Sequence, residues 1–222
     1  MNTSPQSAIR NPQSRDDAWI LTFTGRQFWP LDPRAEDVCI EDIAHALALT
    51  CRFTGHCREF YSVAQHSALC AMYVEQHGGD AALQLAALLH DASEAYLPDV
   101  ARPIKGRLHF SEPCAFTPCG LGWKAFKVVE SRLHSAILCG LDVPIVDLEF
   151  VLDDPLIKQA DIALLLSERR DLMPAHDHCW AKAIGAEDVP LWKDTILPWS
   201  PLEAEYFFLG RFEKLREEVS RG

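Results

Sequence analysis

Four ionisable side chains stand where the surrounding pattern calls for aliphatic residues: His66, His90, Asp91 and Asp161. His66 shares its segment with Val63, Leu69, Cys70 and Tyr73; His90-Asp91 closes the apolar run Leu83 to Leu89; Asp161 lies among Ile157, Ala160, Leu164 and Leu165. A carboxylate withdrawn from water without a partner costs on the order of several kcal/mol. Taken singly, each residue has an ordinary explanation, a hydrogen-bonded core histidine or a solvated or capping aspartate. Together, two imidazoles and two carboxylates are satisfied by one divalent metal ion. Such a nitrogen and oxygen set suits Co²⁺, Mn²⁺, Zn²⁺ or Fe²⁺ better than Mg²⁺, and it leaves coordination positions open, as catalytic sites do. An ion of this kind acidifies water and polarises a carbonyl or phosphoryl oxygen. Glu94 follows His90 by four residues, so on a continuous helix it shares that face and can orient or deprotonate the water.

The elements that must position these groups read as mostly helical. Apolar and aromatic runs at Trp19 to Phe23 and Gln27 to Leu31 flank Thr24-Gly25-Arg26 and predict a short β-hairpin or extended arm. Helices are expected over Glu41 to Thr50, Ser62 to Gln76, Ala81 to Ala95, Trp123 to Cys139, Leu156 to Asp171 and Pro201 to Val219. Gly78-Gly79 stops the second, Asp80 caps the third, and Asp154-Pro155 opens the fifth with proline where its missing N–H costs nothing. Gly106 to Gly122 is aperiodic, holds Pro113 and Pro118, and predicts a loop or lid. Met1 to Asp17 is polar, contains Pro5 and Pro12, and reads as an N-terminal tail that need not be ordered. Residues 18–222 carry no repeat and no Ser/Gly linker. The economical fold is therefore one all-α domain with a small β appendage.

Composition narrows the function classes. The chain has 222 residues, 48% of them hydrophobic, enough for one sizeable core. Its 21 Lys and Arg against 32 Asp and Glu give a net charge of −11, with no cationic excess to displace counterions from nucleic acid. No apolar stretch approaches the roughly 20 residues of a membrane span, and Met1 to Asp17 has no apolar secretory core, so a cytoplasmic protein is expected. The eight cysteines are scattered and read as reduced thiols; Cys114 and Cys119 lack a second pair at zinc-ribbon spacing.

The order His66, His90-Asp91, Asp161 resembles the HD superfamily of metal-dependent phosphohydrolases, whose pattern is one His, a His-Asp dipeptide and a distal Asp. The likeness extends beyond the ligands. His90-Asp91-Ala92-Ser93-Glu94-Ala95-Tyr96-Leu97-Pro98-Asp99-Val100-Ala101-Arg102-Pro103-Ile104-Lys105 is similar, almost residue by residue, to the active-site segment of bacterial 5′-deoxynucleotidases. Tyr61 to Ser67 and Lys158-Gln159-Ala160-Asp161 match their other two ligand segments. The block from Gly25 to Pro33, with Glu41 to Leu47 and Cys51 to His56, looks more like the phage and bacterial branch that includes the dATP triphosphohydrolases. Gly106 to Gly122 matches neither pattern.

The resemblance implies a single HD-domain helical bundle and one divalent ion per site, with a second ion carried on the substrate phosphates. It further implies His66, His90, Asp91 and Asp161 as ligands, and Asp99 as acid/base partner of Glu94. Arg52 matches a family arginine upstream of the first histidine and, with Lys105, is expected to hold phosphate. Phe53 and Pro103 fall where the base is bounded, although Phe53 also suits core packing. His56 can donate to phosphate or be a solvated turn residue. The favoured activity is a dNTP triphosphohydrolase that prefers dATP. The alternatives are a 5′-deoxynucleotidase acting on dNMPs and a non-catalytic nucleotide-binding HD protein. A different HD chemistry, cyclic-dinucleotide cleavage or two-iron oxygenation, needs further histidines, for which His109 and His134 remain. The implied partners are a small deoxynucleotide and other copies of the chain, as a dimer or hexamer, with neither nucleic acid nor membrane.

Overall fold

The computed structural model describes residues 18–113, 121–143 and 153–221. The tail Met1 to Asp17 and the pair Cys114 and Cys119 lie outside them. The described chain is mostly helical with two small sheets. The first sheet pairs β1 (Ile20–Leu21) antiparallel with β2 (Gln27–Phe28) around Gly25, whose φ of +83° explains the glycine at the turn. This arm is pinned to the first helix, where both carboxylate oxygens of Asp42 accept from Thr24, from its amide at 2.7 Å and its hydroxyl at 2.9 Å.

The helices are α1 (Ile40–Leu49), α2 (Val63–Gln76), α3 (Ala81–Leu89), the short α4 (Arg102–Lys105), α5 (Phe126–Gly140), α6 (Pro155–Leu172), the short α7 (Trp180–Ile184) and α8 (Pro201–Arg221). Their starts follow from local chemistry. Ser62 caps α2 by accepting from the Gln65 amide at 3.1 Å, Asp80 caps α3 through Leu83 at 2.8 Å, and Asp154 caps α6 through Leu156 at 2.7 Å. Helix α2 is the centre of the bundle and packs on α1, α3, α6 and α8. All but three of its residues are buried, which suits a helix surrounded by others.

The structure departs from the sequence expectations in two places that bear on the site. Helix α3 ends at Leu89 rather than running to Ala95, and Ala92–Ala95 forms a separate 3₁₀ turn. The Nδ1–H of His90 donates to the Ala87 carbonyl at 2.7 Å, and Asp91 leaves the helix at φ −102°, ψ 14°. Glu94 therefore reaches the site across a tight turn and not along one helix face. Second, part of the segment expected as a loop is paired: β3 (His109–Pro113) lies antiparallel to β4 (Leu121–Ala125), with His109 opposite Ala125. That pairing delays α5 to Phe126, three residues beyond the expected Trp123. Among the described residues no helix is long and apolar enough to cross a membrane.

Candidate metal centre and active site

Three elements converge on one buried point. Helix α2 delivers His66, the end of α3 delivers His90 and Asp91, and the first half of α6 delivers Asp161. Each imidazole has one nitrogen committed to the scaffold. His90 spends Nδ1 on Ala87, as above; His66, wholly buried, donates Nδ1–H to Oε1 of Glu168 at 2.5 Å. Both Nε2 atoms consequently face inward. His66 Nε2 lies 3.4 Å from Asp161 Oδ1 and 3.8 Å from Asp91 Oδ2, and His90 Nε2 lies 3.3 Å from the same Asp91 oxygen.

Ligand atoms about 2.0 to 2.2 Å from a common ion are separated by about 2.9 to 3.4 Å for right-angled to tetrahedral coordination. The shorter two contacts fall in that range and the third is slightly wider. The decisive detail is His90 Nε2, which is buried and has no hydrogen-bond partner. A buried imidazole nitrogen that makes no hydrogen bond yet faces a carboxylate oxygen 3.3 Å away is placed as a metal ligand is. The residues present therefore fit a divalent metal.

The charges of the cluster balance one another. Burial disfavours a proton on His90, but the adjacent Asp91 carboxylate outweighs it and lifts the pKa to about 10. Burial and the Arg52 charge oppose a proton on His66, yet Cys70, Glu168 and Asp161 prevail and raise it well above the usual imidazole value. Against burial, His90 and His66 in turn hold Asp91 well below the carboxylate range, and His66 draws Asp161 down to about 2.

Glu168 is a member of the site that the sequence reading missed. It is completely buried, and its Oε1 accepts from Tyr61 Oη at 2.8 Å as well as from His66, while Oε2 accepts from Arg52 Nε at 3.2 Å. These donors compensate a buried carboxylate and keep it ionised, with a pKa lowered by Arg52 and His66 against its burial. Its spacing of seven residues from Asp161, two helical turns, is the sequence signal that would have found it. Cys70, one turn after His66 and wholly buried, is a second: its Sγ is 3.5 Å from His66 Nε2.

Arg52 sits at the entrance of a loop with unusual backbone. Phe53 and Thr54 are left-handed at φ 55° and 54°, followed by Gly55 at φ 78°. Left-handed conformation costs a non-glycine residue about 1 to 2 kcal/mol. The loop is closed at its base by the pairing of Cys51 with Ser62, Arg52 N–H to Tyr61 carbonyl at 2.9 Å and Val63 N–H to Thr50 carbonyl at 3.0 Å. This turns the Arg52 guanidinium inward, where Nη1 reaches Asp91 Oδ2 at 3.4 Å.

Glu94 is buried beside these groups, and its Oε2 has no partner. Burial, then the charges of Asp91 and Asp99, push its pKa up to about 8. Asp99, half-buried, is also raised, first by burial and, against the pull of Arg52, by Asp91. Lys105 Nζ lies 3.6 Å from Glu94 and 2.5 Å from Glu130 of α5, so it ties the 3₁₀ turn to that helix. Of the remaining sequence candidates, Phe53 is half-buried with its ring centroid 6.1 Å from that of Trp180 in α7, and His56 and Pro103 are exposed. His134 of α5 is buried close enough to feel His90, its Nε2 unpartnered; burial first and then that charge lower its pKa to about 4.

No family model matches the chain. The uncharacterized protein YfdR of Escherichia coli strain K12 is 32% identical over 200 residues, which cover 90% of this chain and 97% of YfdR. This chain belongs to the YfdR family. The uncharacterized protein RCAP_rcc00048 of Rhodobacter capsulatus is 33% identical over 162 residues, covering 63% of this chain and 83% of its own length. Neither name states an activity, so the chemistry of this YfdR-family chain rests on its own residues. Those residues bring together all four expected ligands, Glu94, Asp99, Arg52 and Lys105, and leave His56 and Pro103 at the surface.

Proposed function

We propose that this chain is a metal-dependent phosphohydrolase of the HD superfamily that acts on deoxyribonucleotides, favouring dATP and releasing deoxyadenosine and triphosphate. The observation that carries this reading is the buried Nε2 of His90, which makes no hydrogen bond and lies within ligand distance of Asp91, with His66 and Asp161 completing the set. An ion held by these residues supplies a polarised water and a Lewis-acid contact for a phosphoryl oxygen. The rest is the work of side chains. Glu94, with a buried oxygen that makes no hydrogen bond, takes the proton from the attacking water at Oε2 when it is ionised. Asp99, raised beside it, shares that proton and returns one to the leaving ribose oxygen. Arg52 offers a guanidinium edge to the phosphoryl group, held in place by Glu168. Lys105 exchanges a carboxylate partner for phosphate. The enzyme acts in the cytoplasm as a homo-oligomer, a dimer or hexamer.

Hydrolysis of dNMPs is a second reading with an observation in its favour. Arg52 and Lys105 both place their charge on Glu94 and both already serve carboxylates, an arrangement that suits a single phosphate. The N-terminal block from Gly25 to His56 supports the triphosphate. One experiment separates them: metal-stripped protein is incubated with each dNTP, dNMP and ribonucleotide plus Co²⁺, Mn²⁺, Zn²⁺ or Mg²⁺, and products are resolved by chromatography. Intact triphosphate with deoxyadenosine is expected. Phosphate from monophosphates alone selects the second reading, and binding without any product with every ion selects a non-catalytic nucleotide-binding protein.

A further inference from the structure

We propose that Cys70 is an additional ligand, a thiolate closing the buried side of the ion site; this rests on the metal-site reading above. Cys70 follows His66 by one turn of α2, so both side chains project from the same face of that helix. Its sulfur, a nitrogen of His66 and a nitrogen of His90 all lie within 4.8 Å of one another. The sulfur is within hydrogen-bonding distance of His66 Nε2, at 3.5 Å, and that is the imidazole atom not engaged by Glu168.

A sulfur about 2.3 Å and a nitrogen about 2.0 to 2.1 Å from one ion are about 3.1 to 3.6 Å apart between right-angled and tetrahedral coordination. The observed separation fits. A buried cysteine in a purely structural role packs among hydrocarbon; this one faces two imidazoles, one carrying an orphaned nitrogen. Ligation breaks the S–H bond, forms a sulfur–metal bond and releases the proton to water, with no change of oxidation state. A mixed thiolate, imidazole and carboxylate set selects borderline and soft ions, Zn²⁺, Co²⁺ or Fe²⁺, and disfavours Mg²⁺.

The test is optical. Metal-stripped full-length protein is titrated with Co²⁺, whose visible ligand-field bands report occupancy and whose near-ultraviolet sulfur-to-cobalt charge-transfer band reports a thiolate. Wild type is expected to show both, and Cys70→Ser and Cys70→Ala to keep the visible bands and lose the charge-transfer band. X-ray absorption of the zinc-loaded wild type, independent of whether the variants fold, is expected to show one sulfur neighbour at about 2.3 Å. Visible bands without charge transfer, a charge-transfer band that survives both substitutions, or a zinc shell without sulfur overturns the assignment while leaving the metal site standing. Absence of every cobalt band overturns the metal-site reading and this inference with it.

Discussion

Glu168 shows how one residue outside the proposed ligand set organises it. It fixes the tautomer of His66, neutralises Arg52 and is itself satisfied by Tyr61, all without contact with solvent. Glu168→Gln keeps the shape but removes the charge, and we expect metal affinity to fall about 10- to 100-fold, as measured by calorimetric titration. Unchanged affinity would show that His66 is oriented without it. Glu94 gives a pH prediction. Its folded pKa, about 8, stands above the ordinary carboxylate value of 4.5, so the folded state binds its proton more tightly than the unfolded chain. Its contribution is fully present below the unfolded value and is lost as pH rises through the folded one. Metal-free wild type should therefore lose Tm between about pH 5 and 8 relative to Glu94→Gln, and parallel Tm profiles would refute this.

At the scale of elements, the start of each helix that carries a proposed ligand was legible because capping chemistry is local: Ser62, Asp80 and Asp154-Pro155 announce α2, α3 and α6. The end of α3 was not. Ala92-Ser93-Glu94-Ala95 carries no helix breaker, and the break comes from His90 turning back on Ala87 and from Asp91 reaching a point shared with α2 and α6. The pairing of β3 with β4 was hidden for the same reason, since its partners lie on either side of a proline-bearing segment without alternation. Glu168 and Cys70 escaped notice because each reads as an ordinary member of its helix until the fold brings a histidine beside it. The Arg52–Gly55 turn carries a testable strain. Thr54→Gly relieves a left-handed threonine and should raise stability by about 1 kcal/mol in denaturant unfolding, while loosening Arg52 and slowing turnover. Helix α5 makes a close approach of the opposite kind: a Cβ on Gly140 would clash with the Ala35 carbonyl and the Val38 side chain, so Gly140→Ala should destabilise by about 1 to 3 kcal/mol, and a neutral effect would mean that the Ala35–Asp37 turn yields.

Across the whole molecule, the proposed ligands come from α2, α3 and α6, so an ion would act as a cross-link between elements far apart in sequence. Binding of this kind stabilises the folded state by mass action, about 2.7 kcal/mol when the free ion is a hundredfold above its Kd. For a chain of this size that corresponds to a rise in Tm of about 5 to 10 °C, and it should vanish in His90→Ala. The acidic balance of the chain, −11 overall, sets a general background that attracts cations, so stability gained by divalent ions equally in wild type and His90→Ala would point to nonspecific screening. The central claim is that one divalent ion at this point drives phosphate-ester hydrolysis. It is tested most directly by titrating metal-stripped protein with Mn²⁺ while measuring, in the same samples, ion bound per chain and dATP hydrolysed. The account predicts saturation at one high-affinity ion per chain, with turnover rising in proportion to the occupied fraction. Turnover that persists after chelation, or saturation with the ion that brings no hydrolysis of any deoxynucleotide, would contradict it.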